Sequence, residues 1–366
     1  MFPPKTLLKF RRFLAIPLLA MAASAQAAPD NPDAWRFDRH ADDLRDRSCQ
    51  ATSEAASIPP SADTAFTPLP LHIRDVSTHG ATLPDDVRIA GTWALTSSEN
   101  VFGGLSGLSV LNDGDLLAVS DTGRFVHIGM TDGMPNGSAG IAPMRFANPL
   151  IRPGKLTADA EGLDVRDGLA LVSFERNFRI LAFALDRCGA QARGVLIAKP
   201  PKRFDRVRVR ANAGPEAITL DPAGHLQVGY EQPRDGRMVT GQVLHDGTVA
   251  LSGPVDAPAL EPGFRLVGMD HLQLTTGHQV SVRLLRAYER ERGNRSILQF
   301  GGDLSLPSLR LFPPLTVDNF EGVVLTETQT GLRAYIIADD NFSDRQQTLL
   351  YALEIDRDPA SDHPDR

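Results

Sequence analysis

The sequence predicts an all-β fold, a β-propeller of five or six blades with about four antiparallel strands in each. Three observations predict it: a repeat of about 50 residues, many short strand-like runs joined by turn motifs, and few long helical patterns in the 366 residues. A period of about 40 to 50 residues with four short strands per unit is typical of a propeller. A β-sandwich is the alternative, but it does not account for the period.

The repeat is visible in four segments that can be aligned without gaps over their first half. They read "LSGLSVLNDGDLLAVSDTGRF", "AEGLDVRDGLALVSFERNFRI", "PEAITLDPAGHLQVGYEQPRD" and "FEGVVLTETQTGLRAYIIADDNF". Their second residues are Ser106, Glu161, Glu216 and Glu321, spaced by 55, 55 and 105 positions. The last interval is nearly two periods. A fifth copy is therefore predicted inside it, in "GMDHLQLTTGHQVSVRLLRAYERERGNRSIL", with Asp270 at the acidic position.

The propeller domain is predicted over residues 65–356, after a polar leader at 28–64 and before a disordered polar tail at 357–366. In the leader, "RHADDLRDRSCQATSEAA" at 39–56 predicts a short helix. The strand-like runs "LPLHIRD" and "DVRIAGTWALTS" precede the first copy, and "QTLLYALEI" follows the last. Pairing of these two ends would complete the last blade and remove exposed sheet edges.

The first 27 residues have the three parts of a secretory signal peptide: a basic head, an apolar run and a small-residue exit. The apolar run "FLAIPLLAMAASA" is shorter than the roughly 20 residues that span a bilayer. Cleavage is expected after Ala27, which predicts a periplasmic or secreted protein with no integral membrane segment. An uncleaved anchor is the alternative.

The charge balance argues against some classes of partner. Loss of residues 1–27 removes four basic residues and no acidic ones, which leaves 34 basic against 45 acidic residues and a formal charge of −11. An acidic surface disfavours nucleic acid or an anionic membrane as the main partner and suits cations. We expect a monomer that takes a small-molecule substrate.

Two cysteines, Cys49 and Cys188, are present. In an oxidising compartment an isolated pair most simply forms one disulfide, which would tie the leader to the propeller. Two free thiols are the alternative, and neither cysteine has the spacing of a metal site.

A ring of acidic residues is predicted around the central channel, because the innermost strand of every blade lines it. Glu161, Glu216 and Glu321 occupy the equivalent position, with Ser106 as the neutral member, and Asn212 and Asn319 lie just upstream. Crowded carboxylates resist ionisation unless a cation compensates them, and Ca²⁺ accepts about six to eight oxygen ligands. The candidate calcium ligands are Asp159, Glu161, Glu216, Asp270, Asp318 and Glu321. The alternative is a structural role, in which the acids bond to backbone amides of neighbouring blades.

A second charged set ends the next strand of each copy and forms a predicted rim. Its acids are Asp121, Glu175, Glu231, Glu289 and the pair Asp339-Asp340, and its arginines are Arg124, Arg176 and Arg290, with Arg345 as a looser counterpart. Acids beside arginines can hold a cation and a phosphate group together. The candidate substrate-binding residues are Asp121, Arg124, Glu175, Arg176, Glu231, Glu289, Arg290 and Asp340. Alternatively, each acid–arginine pair locks one blade to the next.

The sequence does not support a serine nucleophile. "GGLSGLS" around Ser106 resembles a nucleophile elbow, but the Gly-x-Ser-x-Gly pattern needs glycine where the chain has Leu108. No Ser/His/Asp arrangement follows from the spacing, and neither a phosphate-binding glycine loop nor a dinucleotide fingerprint is present.

An ordered set of motifs carries a family resemblance. The motifs are "FGGLSGL", "LLAVSDTGRF", "DAEGLDV", "LVSFERNFRI", "NAGPEAIT", "YERERGNRSI", "DNFEGV" and "IIADDNF", spread over roughly residues 88 to 355. In these motifs the chain resembles the bacterial phytase-like family, named for an esterase-like activity of phytase. The fourth copy departs most, because "GMDHLQL" lacks the Glu-Gly pair.

The resemblance implies an exported hydrolase of phosphomonoester or ester bonds that acts on a small anionic substrate with the help of Ca²⁺. By analogy with calcium-dependent propeller phytases, Glu161, Glu216 and Glu321 would be the catalytic residues, as ligands or general base. Arg124, Arg176 and Arg290 would bind phosphate. Two alternatives remain: a lactonase-type calcium propeller, which Asn212 and Asn319 would favour, and a non-catalytic binding propeller with a structural acidic ring.

Overall fold

The computed structural model describes residues 31–49, 65–80, 82–146, 154–155, 157–253 and 257–356. The predicted signal peptide and tail lie outside these residues, as does the leader beyond Cys49. Within them, five β-sheets of four or five strands each form one blade. This confirms the predicted propeller and its closure by the two chain ends, with five blades in the described part of the chain.

Blades 1 and 2 each have four consecutive strands and a short fifth strand at the outer edge. From the channel outward, blade 1 consists of Leu105–Val110, Leu116–Ser120, Arg124–Thr131, Met134–Pro143 and Thr67–Pro68. Blade 2 consists of Ala160–Arg166, Leu169–Phe174, Arg179–Ala184, Arg193–Ala198 and Arg145–Phe146. The Asp167-Gly168 turn predicted in blade 2 has both residues at positive φ, as a two-residue hairpin requires.

Blades 3 and 4 have four strands each. Blade 3 consists of Pro215–Leu220, Leu226–Arg234, Arg237–Val243 and Val249–Leu251. Blade 4 consists of Arg265–Gln273, Gln279–Glu289, Gly293–Gly302 and Leu309–Leu311. A separate hairpin, formed by Arg203–Phe204 and Val207–Arg208, precedes blade 3.

Blade 5 is built from both ends of the domain. From the channel outward it consists of Asn319–Glu327, Gly331–Asp339, Thr348–Asp356, Val87–Thr96 and His72–Asp75. The antiparallel pairing of Thr348–Asp356 with Val87–Thr96 joins the C-terminal strand to an N-terminal one. This pairing closes the ring, as the flanking strand patterns predicted, and leaves neither strand as an open edge.

The five inner strands surround the central axis, and each lies beside the next, with that of blade 5 beside that of blade 1. Their close approach requires small residues. A Cβ at Gly107 would lie 2.5 Å from the carbonyl oxygen of Glu161, and one at Gly162 would lie 2.7 Å from that of Glu216. Glycine is thus needed at positions 107 and 162 because the backbone of the next blade occupies the space.

The leader packs against the propeller through a helix, Phe37–Cys49. The helix begins two residues before the predicted segment, and residues 50–56 of that segment lie outside the described residues. Phe37, Ala41 and Leu44 are buried in the core shared by blades 2 and 3. A disulfide joins Cys49 to Cys188, at the end of the four-residue helix Leu185–Cys188 that precedes the short 3-10 helix Gly189–Gln191. Leader and propeller therefore share one core.

Two half-buried aspartates connect neighbouring inner strands. Asp164 Oδ2 accepts the backbone N–H of Leu220 at 2.6 Å, and Asp270 Oδ2 accepts that of Leu325 at 2.6 Å. Asp270 thus has the structural role that was the alternative reading of the acidic repeat: it bonds to the next blade. Burial, followed by the negative charge of Asp164, raises the pKa of Asp270 to about 8.

This raised pKa predicts that Asp270 makes the fold less stable as the pH rises. The folded chain keeps a proton that the unfolded chain releases above about pH 4, so the free energy of unfolding falls between pH 4 and pH 8. We expect Asp270→Asn to remove this contribution, about 1.4 kcal/mol per pH unit between pH 5 and pH 7. Guanidinium unfolding of both proteins at the two pH values, with chelator present, measures the difference.

The matched control is Asp303→Asn, which neutralises an exposed aspartate of the same blade that accepts the N–H of Gln279 at 2.7 Å. Its effect on unfolding should not depend on pH. A stability change for Asp270→Asn that is equal at pH 5 and pH 7 would contradict the prediction.

Candidate functional site

A β-bulge near the start of every inner strand sets the side chains at the mouth of the channel. The ladder to the second strand shifts at this point in all five blades, for example between Leu105 and Gly107 and between Pro215 and Ala217. The five bulged positions, here called the inner ring, are Ser106, Glu161, Glu216, Val267 and Glu321. Bulges redirect side chains beside functional sites, and four of these five line one cavity.

The second strand of each blade contributes the residue that follows the ladder partner of the residue just before the bulge. These five positions, here called the outer ring, are Asp121, Glu175, Glu231, Arg286 and Asp339. All five line the same cavity. Blade 4 therefore departs from the repeat at both levels, because it supplies Val267 to the inner ring and Arg286 to the outer ring.

The two rings surround a polar cavity of about 930 Å³ at one end of the channel. Below the inner ring, apolar residues including Leu108, Leu163 and Ile218 surround a void of only about 10 Å³. A void of this size holds one water at most. The cavity is therefore a funnel with an apolar floor. A ligand that enters from the mouth would meet its charged side chains.

Three buried carboxylates on the blade 2 side form a cluster suited to a cation. Asp159, Glu161 and Glu175 each offer an oxygen, and these atoms lie within 4.8 Å of one another. Asp159 is 2% exposed, and its Oδ1 has no hydrogen-bond partner among the described residues, although its Oδ2 accepts from Arg176 Nε at 2.7 Å. Buried carboxylate oxygens without partners are unfavourable unless a cation binds them, so this donor set fits Ca²⁺.

On the opposite side of the cavity, the acids already have a counter-charge. Arg286 Nη2 lies 3.1 Å from Glu231 Oε1, and its Nη1 lies 2.9 Å from Glu321 Oε1. Asn319 accepts from the same guanidinium and donates to Glu321 Oε1 at 2.9 Å. The single charge of Arg286 thus offsets one of the two negative charges of Glu231 and Glu321, and the blade 2 side, where Asp159 Oδ1 has no partner among the described residues, is the place for an added cation.

Burial and mutual repulsion raise the pKa of several of these acids, which favours their neutral form. Burial, followed by the charges of Glu321 and Asp159, raises the pKa of Glu161 well above its usual range. Burial also raises the pKa of Glu175 to about 7, against the effect of its hydrogen bond with Glu216. Burial and then Glu321 raise the pKa of Asp339 to about 9. Perturbed acids gathered in one cleft are characteristic of functional sites.

Most of the predicted inner residues come together in this cavity. The predicted ligands and catalytic residues that line it are Asp159, Glu161, Glu216, Asp318 and Glu321. Asp270 does not, because Val267 takes its place and Asp270 lies three residues further along the strand. Asp318 accepts the N–H of Gln347 at 2.8 Å and that of Asn319 at 2.9 Å, so its oxygens are largely used in the fold.

The predicted rim is only partly correct. Asp121, Glu175, Arg176 and Glu231 line the cavity, whereas four predicted members lie elsewhere: Arg124, Glu289, Arg290 and Asp340. Arg124 donates to Thr122 Oγ1 at 2.6 Å. Glu289 pairs with Arg295 at 2.5 Å, and Asp340 accepts the N–H of Gly104 at 2.9 Å.

The lining residues that were not predicted as site residues from the sequence include Lys155, Arg286, Asn294 and Asp339. Asp339 was seen as half of an Asp-Asp pair, and the alternation of the strand could have favoured it over Asp340. Arg286 follows the strand-like run "VSVRLL". Aligning blade 4 on Gly268 and counting through the hairpin to the second strand could have identified this arginine. Lys155 lies outside the repeat, and no sequence pattern marks it.

Comparisons with known proteins agree with the fold and the motifs. Residues 100–270 match the family model described as phytase-like, esterase-like activity of phytase. None of the curated proteins searched matches the chain. In the described residues, no helix is long and apolar enough to cross a membrane.

Several solved structures resemble this chain in fold. The aldose sugar dehydrogenase of Streptomyces coelicolor in its PQQ-bound form is 11% identical, with a TM-score of 0.44 over 79% of this chain and 100% of that one. The PQQ domain of pyranose dehydrogenase from Coprinopsis cinerea is 10% identical, with a TM-score of 0.38 over 76% and 100%. The Malassezia sympodialis allergen Mala s 1 is 14% identical, with a TM-score of 0.39 over 78% and 96%. Similarity at this level does not bear on activity.

Proposed function

The chain belongs to the phytase-like family over residues 100–270, and on that premise we propose that its acidic cavity hydrolyses a small phosphorylated substrate with the help of Ca²⁺. The observation that carries the proposal is the buried cluster of Asp159, Glu161 and Glu175 beside cationic side chains in one cavity. Export to an oxidising compartment, where Ca²⁺ is abundant, is supported by the disulfide between Cys49 and Cys188.

The cation would be held by Asp159, Glu161 and Glu175, which offer only oxygen donors, as Ca²⁺ prefers. When bound, Ca²⁺ supplies positive charge that polarises a phosphoryl oxygen and lowers the pKa of water. It also relieves the repulsion that raises the pKa of Glu161 and Glu175. The same carboxylates thus bind the cation and gain stability from it.

Substrate phosphate would be bound by the cations of the cavity. Lys155, Arg176 and Arg345 line the funnel together with Arg286, and lysine and arginine side chains donate strong hydrogen bonds to phosphate oxygens. Arg345 is exposed, whereas Arg286 lies deeper and is paired with Glu231 and Glu321. This gradient would draw an anionic group into the funnel and orient it toward the carboxylates.

Glu216 is the proposed proton donor to the leaving oxygen. Burial, followed by the charge of Glu161, raises the pKa of Glu216 well above its usual range, which favours its protonated form. It lies on the inner ring and is 6% exposed. A carboxylic acid with a raised pKa in a buried site is suited to general acid catalysis.

The second candidate is a lactonase-type site in the same cavity. It is favoured by Asn212 and Asn319, whose side chains line the funnel and can donate hydrogen bonds to a carbonyl oxygen. In that reading the cation cluster is the same, and the reacting group is an ester carbonyl instead of a phosphoryl group.

The test is hydrolysis of four substrates: phytate, p-nitrophenyl phosphate, p-nitrophenyl acetate and a lactone, with Ca²⁺ or with chelator. We expect phosphate esters to be cleaved with Ca²⁺ and the rate to fall by about 100-fold or more on chelation, since charge stabilisation by the ion is worth several kcal/mol. Glu216→Gln should abolish the activity, whereas Glu289→Gln, outside the cavity, should not.

Each of the other possible results of this test favours or overturns a particular candidate function. Cleavage of the lactone alone would favour the second candidate. Turnover of none of the four substrates, with Ca²⁺ bound, would overturn both and leave a binding propeller. A rate and a melting temperature that chelator leaves unchanged would remove the calcium from the proposal.

A further inference from the structure

We propose that the ammonium group of Lys155 takes the place of a second cation in the acidic cavity, so that loss of this one side chain creates an additional Ca²⁺ site. This inference deepens the proposed function and takes from it only the identity of the cation. It concerns the blade 1 side of the funnel, next to the cluster of Asp159, Glu161 and Glu175.

The contact that carries the inference is between Lys155 and Asp121. Lys155 Nζ lies 2.5 Å from Asp121 Oδ2, and the Asp121 side chain is 3% exposed while that of Lys155 is 49% exposed. The lysine thus reaches from the solvent side of the funnel to a buried carboxylate. Asp159 and Asp339 are also close enough for their negative charges to act on Lys155.

An independent observation shows that Asp121 can form more bonds than the one to Lys155. Asp121 lines the cavity, and its Oδ1 is buried and has no hydrogen-bond partner among the described residues. A lysine ammonium has three N–H donors, and the bond to Asp121 uses one of them. A metal ion, which binds several ligands, would coordinate the carboxylate oxygen that the ammonium leaves without a partner.

The charge balance of the cavity points in the same direction. Arg286 offsets one of the two negative charges of Glu231 and Glu321, and Arg176 pairs with Asp159. One Ca²⁺ at the cluster would leave Asp121 and Asp339 on the blade 1 and blade 5 sides, where Lys155 is the cation in contact with Asp121. Without Lys155, these buried acids must either take up protons or bind a cation from solution.

The arrangement has a consequence for the substrate. In sites with two metal ions, a phosphate group lies between them. Here the phosphate would lie between one Ca²⁺ and Lys155. The N–H donors that Lys155 does not use for Asp121 would bind the phosphate, as a second metal ion would. The tethered ammonium provides the second charge at any calcium concentration.

The experiment is a measurement of Ca²⁺ stoichiometry by equilibrium dialysis with elemental analysis, and by titration calorimetry, at pH 8. We expect Lys155→Met to bind one Ca²⁺ more per chain than the wild type. The double variant Lys155→Met/Asp121→Asn should return to the wild-type number, because the extra site loses its central ligand. Lys155→Gln serves as a second neutral variant, and circular dichroism verifies that each variant is folded.

The matched control is Arg345→Met, which removes an equal charge from the same cavity without breaking a bond to Asp121. It should leave the stoichiometry unchanged. Equal stoichiometry in folded Lys155→Met, Lys155→Gln and the wild type would overturn the inference. The wild-type number tests the proposed function separately: a wild type that binds no Ca²⁺ contradicts the cluster of Asp159, Glu161 and Glu175, whatever Lys155→Met gains.

Discussion

Replacement of Arg286 by methionine is expected to destabilise the protein by about 3–5 kcal/mol at pH 8. Arg286 contacts Glu231 and Glu321, all three side chains are at most 21% exposed, and Asn319 binds the same guanidinium. Removal of the arginine would leave two largely buried carboxylates without their counter-charge. The free energy of unfolding in guanidinium measures the loss.

Two further variants separate charge from packing. Arg286→Met/Glu321→Gln should recover part of the loss, because it removes one of the unpaired charges. Arg234→Met is the control, since Arg234 pairs with Asp205, which is 81% exposed, and such surface pairs contribute about 1 kcal/mol or less. If Arg286→Met costs no more than Arg234→Met, the blade 4 arginine does not balance the acidic rings.

Replacement of Glu161 by glutamine is expected to weaken Ca²⁺ binding by about 100-fold or more, because it removes a charged ligand from the cluster. In chelator the same variant should be more stable than the wild type. Burial and neighbouring acids raise the pKa of Glu161, so the wild type loses stability as the pH rises above the pKa of an unfolded glutamate. Glutamine has no charge to bury, and the advantage should grow from pH 5 to pH 8.

Titration calorimetry and thermal unfolding, each with and without Ca²⁺, measure the two opposite effects. Glu289→Gln is the matched control: the sequence predicted Glu289 on the same rim, but it pairs with Arg295 outside the cavity. It should change neither Ca²⁺ affinity nor the pH dependence. Unchanged Ca²⁺ binding by Glu161→Gln would show that the cluster does not hold the cation.

The sequence predicted the propeller well because its evidence is periodic. A propeller accounts for both the repeat of 55 residues and the strand-like segments at the two ends of the domain. The structure has inner strands at the predicted positions Glu161, Glu216 and Glu321. The prediction failed in blade 4, where the strand Gln279–Glu289 is 11 residues long and its counterpart Leu116–Ser120 only five. Matching the Glu-Arg pair of blade 2, Glu175-Arg176, to Glu289-Arg290 selected Glu289 instead of Arg286.

The sequence by itself determined the class of fold, its closure by the two chain ends, and the convergence of at least three glutamates on the channel. These follow from spacing along the chain, which a repeat carries into space. The tertiary structure alone decided which side chains share the cavity and which charges cancel. In blade 4 the bulged residue is Val267, and Asp270, three residues further along, pairs with Val282 in the regular ladder, so Asp270 lies outside the ring. The partners Lys155–Asp121 and Arg286–Glu231 lie 34 and 55 residues apart, and only packing of neighbouring blades brings them within bonding distance.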